Sequence, residues 1–355
     1  MRQVSEWGYG KERLHMFAPP LLPRTLEATF RDLSSETESV RVSALSDLGR
    51  HLLTEDGSAC RARGASALGV ALADASAKVR EIAAIVAGEV ACIELVPRLL
   101  VALEDPHTMV RQMAMDALGR LGDDRALPRV VRALTDERPE IRYQAVIAFG
   151  KLSTRAEAEA ELAARIADDD VHVRYIALRV ADEMNLCELQ MIRDAGCRAL
   201  ADADPRVRVA AALLIAGNDV RGRALLAEVV KGTLRTPETE DEQAAIEAVG
   251  RLGMSELAGD LERRAWGLFR FAKETHPWHA KIALAALGHV RATTELFADL
   301  ASTRREVREA AVVALGRARV AASRDRIVAL PNGSIDETLR TEALAHLPAL
   351  GEENQ

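Results

Sequence analysis

Aromatic residues are scarce in this chain: three tryptophans, three tyrosines and six phenylalanines among 355 residues. Apolar residues still make up 48%, so the core has to be filled by alanine, leucine and valine, which suits helices that approach closely. Cysteine is sparse too. Cys60, Cys92, Cys187 and Cys197 show neither CxxC spacing nor a dense framework; they read as small reduced core residues of a cytosolic protein rather than as a disulfide scaffold. No window approaches 18 uninterrupted apolar residues, which excludes a membrane-spanning helix. The opening segment MRQVSEWGYGKERLHMF lacks the apolar run of a signal peptide, so a cytoplasmic location is expected. An excess of positive charge is also missing. A net charge of −7 and a pI near 5.7 argue against general affinity for nucleic acid or an anionic membrane.

Catalytic signatures are absent as well. There is no GxGxxG or GxxxxGK[ST] phosphate loop, no GxSxG elbow and no kinase signature. The eight histidines are His15, His51, His107, His172, His276, His279, His289 and His346, and none is followed by glutamate. His276 and His279 form the one close pair; with no cysteine nearby they fit a turn and helix start better than a zinc site. The expectation is therefore no catalytic residue, no metal and no cofactor.

What the chain has is repetition, the first feature to seek in a sequence of this length. Arginines recur at Arg41, Arg80, Arg111, Arg142, Arg174, Arg208, Arg308 and Arg340, with Glu242 and Ala280 standing in two further copies. The spacings run from 28 to 39 residues. Three residues beyond each anchor stands alanine without exception: Ala44, Ala83, Ala114, Ala145, Ala177, Ala211, Ala245, Ala283, Ala311 and Ala343. Eight beyond, glycine recurs at Gly49, Gly88, Gly119, Gly150, Gly250, Gly288 and Gly316. Alanine at one fixed helical position permits close helix approach, and glycine near the helix end allows tight contact or a left-handed cap.

Six residues before the anchor lies an aspartate: Asp74, Asp105, Asp136, Asp168 and Asp202. Such an aspartate can cap the next helix, and the arginine can reach back to an aspartate or a carbonyl in the neighbouring repeat. Two readings follow. The arginines form a row that binds a ligand, or they form an internal ladder that fixes repeat stacking. The structural period and the apolar flanks favour the ladder, with Asp74, Arg80, Asp105, Arg111, Asp136, Arg142, Asp168, Arg174 and Arg208 as its members.

The pattern L-x-D-x(4)-V-R-x-x-A-x-x-A-L-G resembles HEAT repeats, particularly the short HEAT-like type of phycobilisome lyases, over about residues 24–350. The resemblance implies an all-α, right-handed superhelical solenoid of about ten antiparallel helix pairs, with the second helix of each pair lining a concave side. Deoxyhypusine hydroxylase, an enzyme built on this type of repeat, carries paired His-Glu metal ligands; this sequence lacks them, so such a di-iron site is not expected. Neighbouring repeats must supply the burial that one pair cannot.

The organisation expected is an N-terminal cap or arm over residues 1–23, with Trp7, Tyr9, Phe17 and three prolines, then a single solenoid over 24–350 and a polar tail over 351–355. Leu26–Leu33 reads as the second helix of an incomplete first repeat. Thr236–Glu242 (TPETEDE) reads as a solvated acidic loop. Ser255–Pro277 reads as a lengthened second helix holding Trp266, Phe269 and Phe271, followed by Trp278. This cluster, interleaved with Arg263, Arg264 and Arg270, is either a plug in a packing irregularity or an anchor for a partner.

The second helices offer Arg98, Arg129, Arg132, Arg165 and Arg198. Arg98 and Arg129 stand thirteen before the next anchor, where Glu161 follows in the next copy; Glu94, Glu157, Glu159 and Asp194 interrupt the stripe. The function expected is a non-catalytic scaffold or adaptor that holds a protein partner on its concave surface through these arginines. The alternatives are a nucleic-acid-binding protein resembling the HEAT-like DNA glycosylases, or a factor for a chromophore-bearing protein resembling phycobilin lyases.

Overall fold

A computed structural model describes residues 24–54, 58–267 and 276–348. The expected arm at 1–23 and tail at 351–355 lie outside them. The described residues form twenty α-helices and no strand. They fall into two compact units, residues 1–180 and 181–355.

In the first unit the helices are α1 (Leu26–Asp32), α2 (Glu38–Thr54), α3 (Ser58–Ala71), α4 (Ala77–Glu89), α5 (Val96–Ala102), α6 (Thr108–Leu121), α7 (Leu127–Ala133), α8 (Pro139–Leu152) and α9 (Arg155–Ile166). The unit boundary falls within α10 (Val171–Glu183). The second unit continues with α11 (Gln190–Ala199), α12 (Pro205–Ile215), α13 (Val220–Lys231), α14 (Thr239–Arg251) and α15 (Ala258–Trp266). It ends with α16 (Pro277–Ala286), α17 (Val290–Leu300), α18 (Arg305–Arg317), α19 (Arg324–Val328) and α20 (Glu337–His346).

Every one of the ten anchor positions is the fourth residue of an even-numbered helix. The alanine three further on is then one turn deeper on the same side, and all ten of these alanines are at most 3% exposed. Within each unit their small side chains let even helices such as α4 and α6, or α14 and α16, meet almost backbone to backbone. The glycines extend that contact: a Cβ on Gly88 would lie 2.9 Å from the Ala117 Cα, and one on Gly250 would lie 2.6 Å from the Ala283 Cα. At these positions glycine serves close approach. Gly288, with φ of 76°, follows the end of α16 in the left-handed region.

The aspartates sit two residues before the helix caps, not at them. Asp74 accepts the Ser76 N–H at 2.8 Å, Asp105 the His107 N–H at 2.9 Å and Asp168 the Asp170 N–H at 3.0 Å, which closes each entry turn; Ser76 and His107 are the N-cap residues of α4 and α6. Arg41, Arg80, Arg111, Arg142, Arg174 and Arg208 each reach back with Nη1 to two carbonyls of their own entry turn, as Arg80 does to Asp74 and Ala75. In Arg41, Arg80 and Arg142, Nε and Nη2 reach an aspartate in the following repeat, forward along the chain rather than back as expected. Arg41 grips Asp74 at 2.9 and 2.9 Å, Arg80 grips Asp105 at 2.6 and 2.9 Å, and Arg142 grips Asp168 at 2.9 and 2.6 Å. These bidentate pairs are largely buried, so each fixes orientation as well as attraction between repeats.

Other features differ from expectation. Thr239–Glu242 is not loop: the acidic run enters the first turn of α14, where carboxylates meet the positive end of the helix dipole. Glu242, standing in for an anchor arginine, accepts from Arg264 of α15 at 2.8 Å. The second helix of that copy is not lengthened; it stops at Trp266, where Gly267 turns to extended backbone. Only Cys92 is buried, and the other three cysteines are half-buried. None of the four is in a disulfide, and burial pushes the Cys92 thiol up to about 11.

Candidate functional site

Five second-helix arginines are candidates, and the fold uses them differently. Arg98 on α5 donates to the Gly69 carbonyl of α3 at 2.9 Å, so its head is tied to the preceding second helix. Arg165 on α9 is turned inward, its Nη1 on the Leu134 carbonyl and 3.6 Å from Asp168. Arg129 on α7 makes a loose 3.4 Å contact with Glu104, a surface pair of small energetic weight. Arg132 on α7 and Arg198 on α11 are exposed and pair with no carboxylate among the described residues. Arg198 belongs to the second unit, the other four to the first.

Arg129 and Arg132 border a cavity of about 130 Å³ formed by α6, α7 and α8 with their connecting turns. Two more arginines line it, Arg111 and Arg138. Arg111 and Asp136 were both expected in the ladder, and by the pattern of Arg41, Arg80 and Arg142 they would pair, but no bond joins them. Asp136 is held instead by Arg138, two residues on in its own turn, with Nε and Nη2 each 2.8 Å from the carboxylate and the backbone N–H at 3.0 Å. A partner in the same turn meets the carboxylate with less loss of chain freedom than one across a repeat. These bonds, against the opposing effect of burial, hold the Asp136 carboxyl below the usual carboxylate range.

Arg111 keeps the Asp105 and Pro106 carbonyls and adds Thr108 Oγ1 at 2.8 Å. Its Nε is buried and has no hydrogen-bond partner. Next to it Gln112, 5% exposed, leaves its Oε1 unpaired. Buried polar atoms left open in this way are uncommon and carry a desolvation penalty. Around the cavity four guanidiniums face two carboxylates, Glu104 and Asp136, so two positive charges remain in a chain whose net charge is −7.

The aromatic candidates lie in the second unit. Trp266 is half-buried against the apolar core. Its indole N–H donates to Glu295 at 3.1 Å and Arg291 lies 4.1 Å over its ring. Glu295 is brought down to about 2: burial opposes this, and Lys281, Trp266 and Arg291 outweigh it. Trp278 is also half-buried, set edge-on to His279 at 5.0 Å. Arg263 is exposed and pairs with Asp260, whereas Arg264 reaches the carbonyls of Val229 and Val230. Phe269, Arg270 and Phe271 fall outside the described residues. His276 and His279 face Glu242 at 3.4 Å and Glu247 at 2.7 Å, and no group of three metal-ligating side chains occurs among the described residues.

Sequence reasoning passed over Arg138, Gln112 and the release of Arg111. The signal was available: the other ladder aspartates are followed at the second position by Ser76, His107, Asp170 and Asp204, and Asp136 alone by an arginine.

Residues 65–141 match the family model for HEAT repeats. They contain both the rung from Arg80 to Asp105 and the broken one at Arg111, Asp136 and Arg138. The chain is similar in fold to the crystal structure of YibA from Escherichia coli, at 19% identity over 79% of this chain and 97% of that one, with a TM-score of 0.49. It is also similar to the complex of CpcE and CpcF of phycocyanin lyase from Nostoc, at 19% identity, 79% and 96% coverage and a TM-score of 0.44. A designed armadillo repeat protein in complex with the peptide (KR)4 matches at 19% identity, 63% and 99% coverage and a TM-score of 0.38. No curated protein matches the chain in sequence. The described residues are all-helical, with residues 65–141 matching HEAT repeats, and none of their helices is long and apolar enough to cross a membrane.

Proposed function

We propose that the protein is a non-catalytic scaffold whose first unit binds an acidic segment of a protein partner across the second-helix face around α7. The observation that carries this reading is the arginine-lined cavity, two charges in surplus on an otherwise acidic chain. Stacked repeats present such a face as a continuous rigid surface, so an extended segment meets preformed contacts. Arginine forks recognise carboxylates by paired N–H donors, which gives register as well as charge.

The test uses a fluorescein-labelled peptide of five glutamates and anisotropy against the full chain. Because Arg129 and Arg132 are exposed, Arg129→Glu with Arg132→Glu is expected to leave the helical circular dichroism unchanged. The double substitution should weaken the peptide at least ~10-fold and reduce the salt dependence of binding, as loss of exposed steering charges requires. Peptide affinity that is unchanged in the double variant contradicts the reading. A DNA duplex at physiological salt is expected not to bind, since Glu104 and Asp136 interrupt the positive surface and the net charge repels phosphate chains.

A further inference from the structure

The cavity exists because one rung of the ladder is open. At the three rungs described above, both oxygens of an aspartate are filled by the Nε and Nη2 of an arginine one repeat earlier. At the fourth, Arg138 occupies both oxygens of Asp136. Arg111 is left with an unpartnered buried Nε. Gln112, 5% exposed, borders the same space with its amide unsatisfied at Oε1. An amide can turn either end toward a ligand, so it is compatible with an oxyanion.

We propose that this cavity binds a phosphate monoester dianion carried on a phosphorylated side chain of the bound segment. The inference rests on the acidic-segment reading above and names the group that fills its centre. Three features favour phosphate over a single carboxylate. The surplus of two positive charges around the cavity matches the −1.5 to −2 charge of a phosphate monoester near pH 7 (about, with a second pKa near 6). A carboxylate would leave one of those charges unmatched. Separate forks from Arg111, Arg129 and Arg132 can meet different oxygens of a tetrahedral group, whereas a planar carboxylate satisfies one or two forks. The volume of about 130 Å³ is that of several water molecules at ~30 Å³ each, room enough for the five heavy atoms of a phosphate. Arg138 acts as a positioning residue: by holding Asp136 it keeps Arg111 available.

Calorimetric titration of the full chain at pH 7.5 tests this with three probes. They are the five-glutamate peptide, the same peptide with phosphoserine at its centre, and inorganic phosphate. The phosphopeptide should bind about tenfold more tightly than either of the others, in line with the stronger pairing of arginine forks with phosphate. If the two peptides bind equally, the phosphate proposal fails while the acidic-segment reading stands. If inorganic phosphate binds as tightly as the phosphopeptide, the site takes the free anion and the proposal is overturned.

The open rung is tested by Arg138→Ser, which installs the residue type found at Ser76. Arg111 should then close on Asp136, and the phosphopeptide preference should fall about tenfold. Adding Asp136→Ala removes the competing carboxylate and should restore most of that preference. Failure of the double variant to recover, with a native circular dichroism spectrum, contradicts the role given to Arg138.

Discussion

Asp168→Ala is expected to destabilise the first unit by about 2–4 kcal/mol. The Asp168 side chain is 5% exposed and that of Arg142 13%. Removing the carboxylate leaves a guanidinium with little access to water and only two carbonyls, those of Asp136 and Glu137, on its Nη1. The Asp170 N–H that closes the entry turn of α10 loses its acceptor as well. The value lies below that of a fully buried pair because some water reaches Arg142. Urea denaturation followed by circular dichroism measures it.

The same variant carries a pH signature. Burial raises the Asp168 pKa, but the bonds from Arg142 and the Asp170 N–H outweigh it and hold the carboxyl below its ordinary value. A depressed folded pKa contributes stability that is fully present above the unfolded value, about 3.9. It is lost as the pH falls through the folded value. The wild-type chain should therefore lose stability below about pH 4 more steeply than Asp168→Ala. Parallel acid limbs would show that Arg142 does not stabilise this carboxylate.

Ala114→Leu should cost about 1–3 kcal/mol through overpacking. Ala114 is wholly buried on α6, in the seam with α4 where a Cβ added at Gly88 would lie 2.9 Å from the Ala117 Cα. A leucine at 114 has no cavity to enter at that seam, so the repeats must separate or its rotamer must strain. The effect should spread as a loss of cooperativity, because each repeat is stabilised chiefly by its neighbours. Ala145→Leu, at the equivalent position on α8, should behave alike. A melting temperature unchanged in both variants would refute the placement of the alanine column.

The repeat was legible because its signals are local. An arginine at the fourth residue of a helix, an alanine one turn deeper and an aspartate in the entry turn each have a fixed distance along the chain. Counting ten copies of Ala44 through Ala343 placed every even helix. The interruptions were harder to read, since each depends on competition between partners. Arg111 carries the same sequence context as Arg80 and Arg142, yet it lacks their partner because Arg138 reaches Asp136 first. Arg98 and Arg165 occupy the second helices as Arg132 does, but carbonyls of the preceding repeat capture them. Which donor wins a shared acceptor is set in three dimensions, although the Asp136–Arg138 spacing was a usable hint. The end of α15 at Trp266 differs from the lengthened helix expected over Ser255–Pro277 because Gly267 turns to extended backbone.

The claim at the centre of this account is that the ladder is closed at Arg80–Asp105 and open at Arg111–Asp136. Double-mutant cycles to alanine, measured by urea denaturation on both pairs, address it directly. The closed rung should show a coupling energy of about 1–3 kcal/mol, as contacting charged residues do, and the open one should stay within about 0.5 kcal/mol. Equal coupling at the two pairs would mean that Arg111 holds Asp136 after all, and that the arginine-lined cavity is not a site.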